Sequence, residues 1–469
     1  MTIDDATLFL PIRDLAQRIR KKEVSPVALA ELSLARLDKV GAQAHAVVRT
    51  LRDRALTEAR QAERDIAAGH YRGLLHGVPY GVKDLLAARG APTTWGAAPF
   101  KDQTFDHDAT VIERLGAAGA VLVAKLSMVE LAGGLGYDHA DAAFNGPGLN
   151  PWNRAYWSGG SSSGPGAAVA SGCVSFAIGS ETSGSILTPA AFCGVTGLRP
   201  TYGLVSRHGA MALAWTLDKL GPMARTADDC AIVLAAIAGA DPLDESSLTH
   251  GFDYGEHPPR GGRTRLAVPK GVVEKVQPEV RKNFEDALQV LKSTCDVTRD
   301  VAWPDLPWGP AVSTIVAAEG ATAFHELIES GRASELACPA DRIGGYSRLM
   351  VPAVDYIQAM RARRPMKRAV AKLFESFDVI VAPTRASVAY PADIGFGDAY
   401  PGVSGGPPLI AAGNLCGLPA LAVPNGFGEH GLPTSLSFMT AALRERALVE
   451  LGKAYQAKTD WHTKRPPLA

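Results

Sequence analysis

The sequence has no surplus of charge of either sign: 48 lysines and arginines face 48 aspartates and glutamates over 469 residues, with a pI near 7.2. Without a basic surplus there is no electrostatic footprint for nucleic acid or for an anionic membrane surface. The two signs are interleaved, so no charged tail offers either role. Long apolar runs are missing too. The most hydrophobic stretch, near residues 231–240, is about half of the roughly 20 residues needed to span a bilayer. The opening Met1-Thr2-Ile3-Asp4-Asp5 has no basic residue and no apolar stretch behind it, so no secretory leader is expected. Cysteines are few. The six (Cys173, Cys193, Cys230, Cys295, Cys338 and Cys416) form no C-x-x-C pair and accompany no histidine cluster at ligand spacing. That excludes the common zinc patterns and predicts reduced, buried thiols in a cytoplasmic protein with no metal and no cofactor.

Glycine and proline are present in quantity, 48 and 32 residues, but unevenly. By length alone the chain could divide into about three domains, yet large α/β enzymes often form one unit. Residues 1–70 carry apolar positions at three- to four-residue spacing (Leu8, Ile12, Leu15, Ile19), and Ser25-Pro26 reads as an N-cap and first helical turn. From Gly73 strand-like and helix-like stretches alternate: strands at 77–85, 120–125, 175–179, 379–382 and 418–423, helices at 109–118 and 444–457. This alternation predicts an α/β fold built on one sheet. Residues 71–235 and 365–469 read as its core. Residues 241–364, with Arg260-Gly261-Gly262-Arg263 and two tryptophans in Trp303-Pro304-Asp305-Leu306-Pro307-Trp308, read as a variable insertion or cap.

Residues 157–166 read Trp-Ser-Gly-Gly-Ser-Ser-Ser-Gly-Pro-Gly, and a second turn, Ser180-Glu181-Thr182-Ser183-Gly184-Ser185, follows closely. A flexible surface loop is the plain reading of such a run, but its flanks are apolar and small rather than charged. A P-loop fails because Pro165 stands where the phosphate-reaching lysine is required. A dinucleotide fingerprint fails because no third glycine follows Gly164-Pro165-Gly166. A G-x-S-x-G elbow around Ser162 lacks the buried strand that should precede it.

Taken in order, Gly77-Val78-Pro79-Tyr80-Gly81-Val82-Lys83-Asp84, Gly159-Gly160-Ser161-Ser162-Ser163-Gly164 and Glu181-Thr182-Ser183-Gly184-Ser185-Ile186 resemble the amidase signature family. So do the continuation to Gly197-Leu198-Arg199-Pro200, the upstream Asn150-Pro151-Trp152 and the late Asn414-Leu415-Cys416-Gly417-Leu418-Pro419. The resemblance implies one large domain with a mixed central sheet flanked by helices on both faces. It also implies a Ser-Ser-Lys triad: Lys83 as base, Ser161 as bridging serine after a cis peptide bond, and Ser185 as nucleophile. Backbone N–H groups of Thr182, Ser183, Gly184 and Ser185 would form the oxyanion hole. Met128, Tyr137 and Gly160 are expected at the substrate, and Ser162 behind Lys83.

The residue types suit that chemistry. A serine hydroxyl attacks only when a base takes its proton, and a lysine serves only if burial lowers its ordinary pKa of roughly 10.4. Three positions depart from the usual family pattern: Glu181 for aspartate, Ser183 for glycine and Leu187 for arginine. The usual Asp–Arg pair is thus not expected, and support for the loop is expected from Thr188 or from packing of Leu187. Related glutaminase subunits carry an acid seven positions before the Asn-Leu-x-Gly-Leu-Pro segment, where this chain has Pro407. The expected activity is therefore hydrolysis of a small neutral or apolar aryl or alkyl amide, extending to carbamates and esters, by a monomer or homodimer. The alternatives are an ammonia-supplying component of a tRNA-dependent amidotransferase and a non-catalytic binding protein on the same fold.

Overall fold

Strands buried along their whole length need cover on both faces, and the middle of this chain folds accordingly. The computed structural model describes residues 3–255, 262–406 and 408–468, so Pro407 and the Arg260-Gly261 pair lie outside the described residues. Its strands are β1 Val47–Thr50, β2 Pro79–Lys83, β3 Val121–Leu126, β4 Phe176–Glu181, β5 Thr196–Arg199, β6 Lys219–Ala224, β7 Thr264–Pro269, β8 Cys295–Val301, β9 Val379–Pro383, β10 Ala420–Phe427 and β11 Pro433–Met439. They form one sheet in the order β1-β3-β2-β4-β6-β5-β10-β11-β9-β7-β8. β3-β2-β4 and β9-β7-β8 are parallel, and the strands between pair antiparallel. Every residue of β2, β3, β4, β5 and β6 is buried. The result is a single α/β domain with a mixed sheet flanked by helices.

The helices expected from periodicity are present. Ser25 accepts from Ala28 N–H at 3.2 Å at the head of the helix Pro26–Arg36, and helices Thr110–Ala117 and Glu445–Gln456 occupy the expected positions. Several features differ: β5, β6 and β11 join the sheet although the sequence pattern does not mark them. The first 70 residues also contain β1, which pairs antiparallel with β3. Residues 241–364 supply β7 and β8 to the sheet, so this segment extends the sheet rather than only capping it. β8, Cys-Asp-Val-Thr-Arg-Asp-Val, lies at the sheet edge and exposes most of its side chains. An edge strand of that kind carries no continuous apolar run by which to recognise it. All six cysteines are free and buried. No helix among the described residues is long and apolar enough to cross a membrane.

Parallel pairing of β2 with β4 matches Tyr80 to Phe176, Gly81 to Ala177 and Val82 to Ile178, and the Tyr80 and Phe176 rings stack at 5.1 Å. The C-terminal ends of both strands, Lys83 and Ser180-Glu181, therefore emerge side by side. In open α/β sheets this is where ligands bind. The helix Ser163–Ala170 begins immediately after Ser161 and Ser162. Its Gly164 lies on neighbouring backbone, donating to Ser127 O at 2.9 Å. A Cβ there would sit 2.4 Å from both Ala46 O and Ser127 N. Main chain on two sides has no room to yield, so Gly164→Ala should lower the unfolding free energy by roughly 1–3 kcal/mol in urea denaturation. Gly116→Ala is the control: it lies on an open helical position with nothing within 4 Å of its Cβ, and stability there should hold or rise.

Candidate active site

Three lysines are buried in the core region: Lys83, Lys125 and Lys219. Lys125 pairs with Asp84 at 3.0 Å and also donates to Thr93 Oγ1 and the Leu86 carbonyl. Lys219 donates to the Leu217 carbonyl. Lys83 differs, since both of its partners are hydroxyls: Ser161 Oγ at 2.7 Å and Ser180 Oγ at 2.9 Å. Asp84, its neighbour in sequence, is taken by Lys125 and by Thr94, whose N–H donates to it at 3.0 Å. Burial strips the Lys83 ammonium of water and pulls its pKa down to about 7, against opposing pulls from Asp218 and Glu181. An amine in this state exchanges protons near neutrality.

The serine loop closes over this amine. The Gly160–Ser161 peptide is cis. Gly160 is wedged between Trp157 and Val129, where a Cβ would come within 2.6 and 2.7 Å of their side chains. Ser161 O accepts from Val129 N–H at 3.1 Å, and Ser162 N–H donates to Ser185 O at 3.2 Å, tying the loop to the second serine turn. Ser162 does not reach Lys83. Its hydroxyl bridges the backbone of Ser180, donating to O and accepting from N–H at 3.2 Å each. Ser180, not Ser162, supplies the second hydroxyl on the amine, a contact invisible until β4 is laid beside β2.

Ser185 is half-buried, Ser183 is exposed, and Gly184 adopts φ +100°, a conformation that favours glycine. Among the described residues, no carbonyl or side chain accepts from the backbone N–H of Ser183, Gly184 or Ser185. Thr182 Oγ1 donates to Asp218 Oδ1 at 2.6 Å. The turn is held from within by Glu181. Its Oε2 accepts from Ile186 N–H and Leu187 N–H at 2.9 and 3.0 Å, and its Oε1 from Arg199 Nη1 and Asn414 Nδ2 at 2.8 and 2.7 Å. Both members of the Glu181–Arg199 pair are fully buried. Burial alone would raise the Glu181 pKa, but Arg199 and these hydrogen bonds hold it below the ordinary carboxylate value. The usual pair with residue 187 is absent, as expected, and the expected support from Thr188 or Leu187 is supplemented by a cation the sequence pattern does not point to, Arg199 from β5. Thr188 N–H also donates to Gly184 O at 2.8 Å, and Leu187 is buried.

A family model described as Amidase matches residues 28–449. The chain belongs to the amidase family. It is 36% identical over 484 residues to a glutamyl-tRNA(Gln) amidotransferase subunit from Thermosynechococcus vestitus, covering 97% of this chain and 99% of that one. It superposes on the peptide amidase of Stenotrophomonas maltophilia with TM-score 0.83 at 28% identity, over 98% of each chain. The corresponding values for the homologous glutamyl-tRNA(Gln) amidotransferase subunit from Thermotoga maritima are 0.78 and 26%, over 98% of this chain and 97% of that one. As an amidase family member the protein is an amide-hydrolysing enzyme.

For an amidase the surroundings of the serine turn decide what is cleaved. A cleft of ≈ 370 Å³ opens beside Ser183, walled among others by Arg385, Tyr390, Ser404 and Ile410. None of its described lining residues is acidic, in line with the expected lack of a counter-ion for a substrate ammonium, but Arg385 makes it other than neutral. Met128 is fully buried in the main core and lines none of the cavities described, because its carbonyl and side chain pack against Gly96. Tyr137 lies in an aromatic cluster with Trp157 and Phe396, at 6.1 and 5.7 Å between ring centroids. Cys193 is a buried core thiol, donating to Ser158 O at 3.2 Å. Asp138, His139 and Cys338 bring ligand-type atoms within 4.8 Å of one another, joining residues 200 positions apart in sequence. Glu181→Gln should strand the buried Arg199 charge and cost about 3–5 kcal/mol of unfolding free energy in chemical denaturation. The double variant Glu181→Gln/Arg199→Met should recover part of that loss.

Proposed function

We propose that this amidase cleaves its substrate through an acyl-enzyme on Ser185, with Lys83 as the base and Ser161 as the relay between them. The observation that carries this reading is the 2.7 Å contact of Lys83 Nζ with Ser161 Oγ in a fully buried setting where, among the described residues, no carboxylate or carbonyl hydrogen-bonds to the amine. In its neutral form Lys83 accepts the Ser161 proton while Ser161 accepts that of Ser185, and the Ser185 oxygen adds to the amide carbonyl. The negative charge that develops on the carbonyl oxygen meets the uncommitted N–H groups of Ser183, Gly184 and Ser185, with Thr182 at the head of the same turn. One such donor typically contributes about 2.7–4 kcal/mol to transition-state stabilisation. When the C–N bond breaks, the proton returns from Lys83 through Ser161 to the departing nitrogen. Water then adds to the ester under the same relay, releasing the carboxylic acid and regenerating the Ser185 hydroxyl. Esters and carbamates traverse the same tetrahedral geometry and qualify as alternative substrates.

A second reading is favoured by the 36% identity, along almost the whole chain, to a component of an amidotransferase: the same cleavage would deliver ammonia to a partner. The acid-free cleft favours a free-standing amidase instead, since glutamine presents an ammonium that finds no counter-charge there. Turnover of simple amides by the purified chain, unchanged on adding candidate partner proteins, would separate the two.

The pH dependence follows from the sign of the Lys83 shift. A depressed amine is charged below about 7 and neutral above it, so kcat/KM should climb through that pH and level off on the alkaline side. Lys83→Met should lower kcat by roughly 10²–10⁴-fold. A fluorophosphonate should label the wild-type protein at Ser185 and leave Ser185→Ala unlabelled. Full turnover by Ser185→Ala would overturn the mechanism, and absence of labelling in the wild type would favour the non-catalytic alternative.

A further inference from the structure

Arg385 stands two residues beyond the end of β9, on main chain anchored by Thr384, whose N–H donates to Ser435 O at 2.9 Å. Its guanidinium carbon lies 5.8 Å from the centroid of the Phe192 ring and 5.9 Å from that of Tyr390. Its Nη2 donates to the Tyr390 hydroxyl at 2.6 Å. Among the described residues that is its one hydrogen bond. Nε is buried without a partner, and no carboxylate among the described residues pairs with this guanidinium. Arg199 in the same molecule is fully buried and matched by Glu181, whereas Arg385 is half-buried and meets only a phenol hydroxyl.

The placement gives the isolation a purpose. Arg385 is the one charged group among the described residues lining the cleft beside Ser183. The cleft also runs along Ile410, whose methyl lies 3.2 Å from where a Cβ of Gly184 would stand, so its wall reaches the turn that carries Ser185. Contact with two aromatic faces orients the guanidinium plane without using its donors, and the Nη1 N–H groups with the second N–H of Nη2 form a fork suited to a carboxylate.

We propose that the amide cleaved at Ser185 carries a carboxylate elsewhere in the molecule, and that Arg385 binds it. This rests on the reading of Ser185 as nucleophile and replaces the neutral or apolar substrate expected from the sequence with an anionic one. The carboxylate can belong to the acyl part, as in the monoamide of a dicarboxylic acid, or to the amine part, as in an N-acylated amino acid. Both present the same group to the fork.

The test is calorimetric binding to full-length Ser185→Ala protein, with and without Arg385→Gln or Arg385→Lys, using succinamic acid, N-acetylglycine and the neutral butyramide. Succinamic acid or N-acetylglycine should bind the Ser185→Ala protein, and the one that binds better shows which part of the substrate holds the charge. Arg385→Gln should weaken that binding roughly 10–100-fold, the range for losing a hydrogen bond to a charged group. Arg385→Lys should fall between, because it restores the charge without the fork. Thermal melts show whether each variant is folded, and the lysine variant keeps the test open if the glutamine variant is not. In the Ser185-intact enzyme, the ratio of kcat/KM for the carboxylate amide to that for butyramide should fall by a similar factor on Arg385→Gln. Failure of both carboxylates to bind, or equal binding to the Arg385→Gln protein, overturns the proposal. The nucleophile is judged separately: hydrolysis retained by Ser185→Ala together with Arg385-dependent binding would reject Ser185 and keep the anion site.

Discussion

An amine kept out of water and given only hydroxyls for company is the constraint around which this structure is arranged. Lys83 would hold its proton if a carboxylate reached it or if solvent did, and the fold prevents both. β2 is buried on both faces, Asp84 is claimed by Lys125 and Thr94, and the Ser161 and Ser180 hydroxyls occupy the two directions in which the ammonium would seek partners. Hydroxyls stabilise a charged amine less than a carboxylate does, so desolvation dominates and the amine approaches neutrality. Buried charge elsewhere serves the same end. The Glu181–Arg199 pair fixes the serine turn through two backbone N–H groups and leaves those of Ser183, Gly184 and Ser185 uncommitted.

The pairing of charges also separates scaffold from site. Arg199 and Lys125 each meet a carboxylate inside the protein, and both belong to the framework. Arg385 meets none and faces the cleft, with its guanidinium held against two rings. Arg385, half-buried in the cleft wall beside the serine turn, stands where a ligand carboxylate can complete it. The chain's likeness both to a peptide amidase and to part of an amidotransferase places it in a family whose members differ in what they bind. Differences of that kind reside in the cleft walls, not in the sheet.

Much of the fold could be read from the residues. Continuous apolar runs marked β2, β3, β4, β9 and β10 because these strands are covered on both faces, and Ser25-Pro26 marked a helix start through local capping chemistry. β1 and β8 escaped, since short or edge strands carry polar residues outward and look like loops, and β5, β6, β7 and β11 escaped because Gly, Pro, Ser, Thr, Lys or Arg interrupt their apolar runs. Of the site, Lys83 and Ser161 stood out by motif, and the structure joins them directly. Met128, equally near the motifs in sequence, proved to be core. Ser180, Arg199 and Asn414 were within quoted segments yet had no assigned task, because each acts on a group distant in sequence: Ser180 on Lys83, and the other two on Glu181.

The class of chemistry was written in the chain itself, for a lysine in an apolar strand followed by two glycine-framed serine turns specifies reacting groups and the small residues that let backbone approach them. Which hydroxyl touches the amine, which cation holds Glu181 and which arginine stands unpaired in the cleft were settled by folding. Those are questions of proximity between strands and loops separated by up to 233 residues. Proximity of that kind is set by sheet order and register, and the local pattern of any one segment does not contain it.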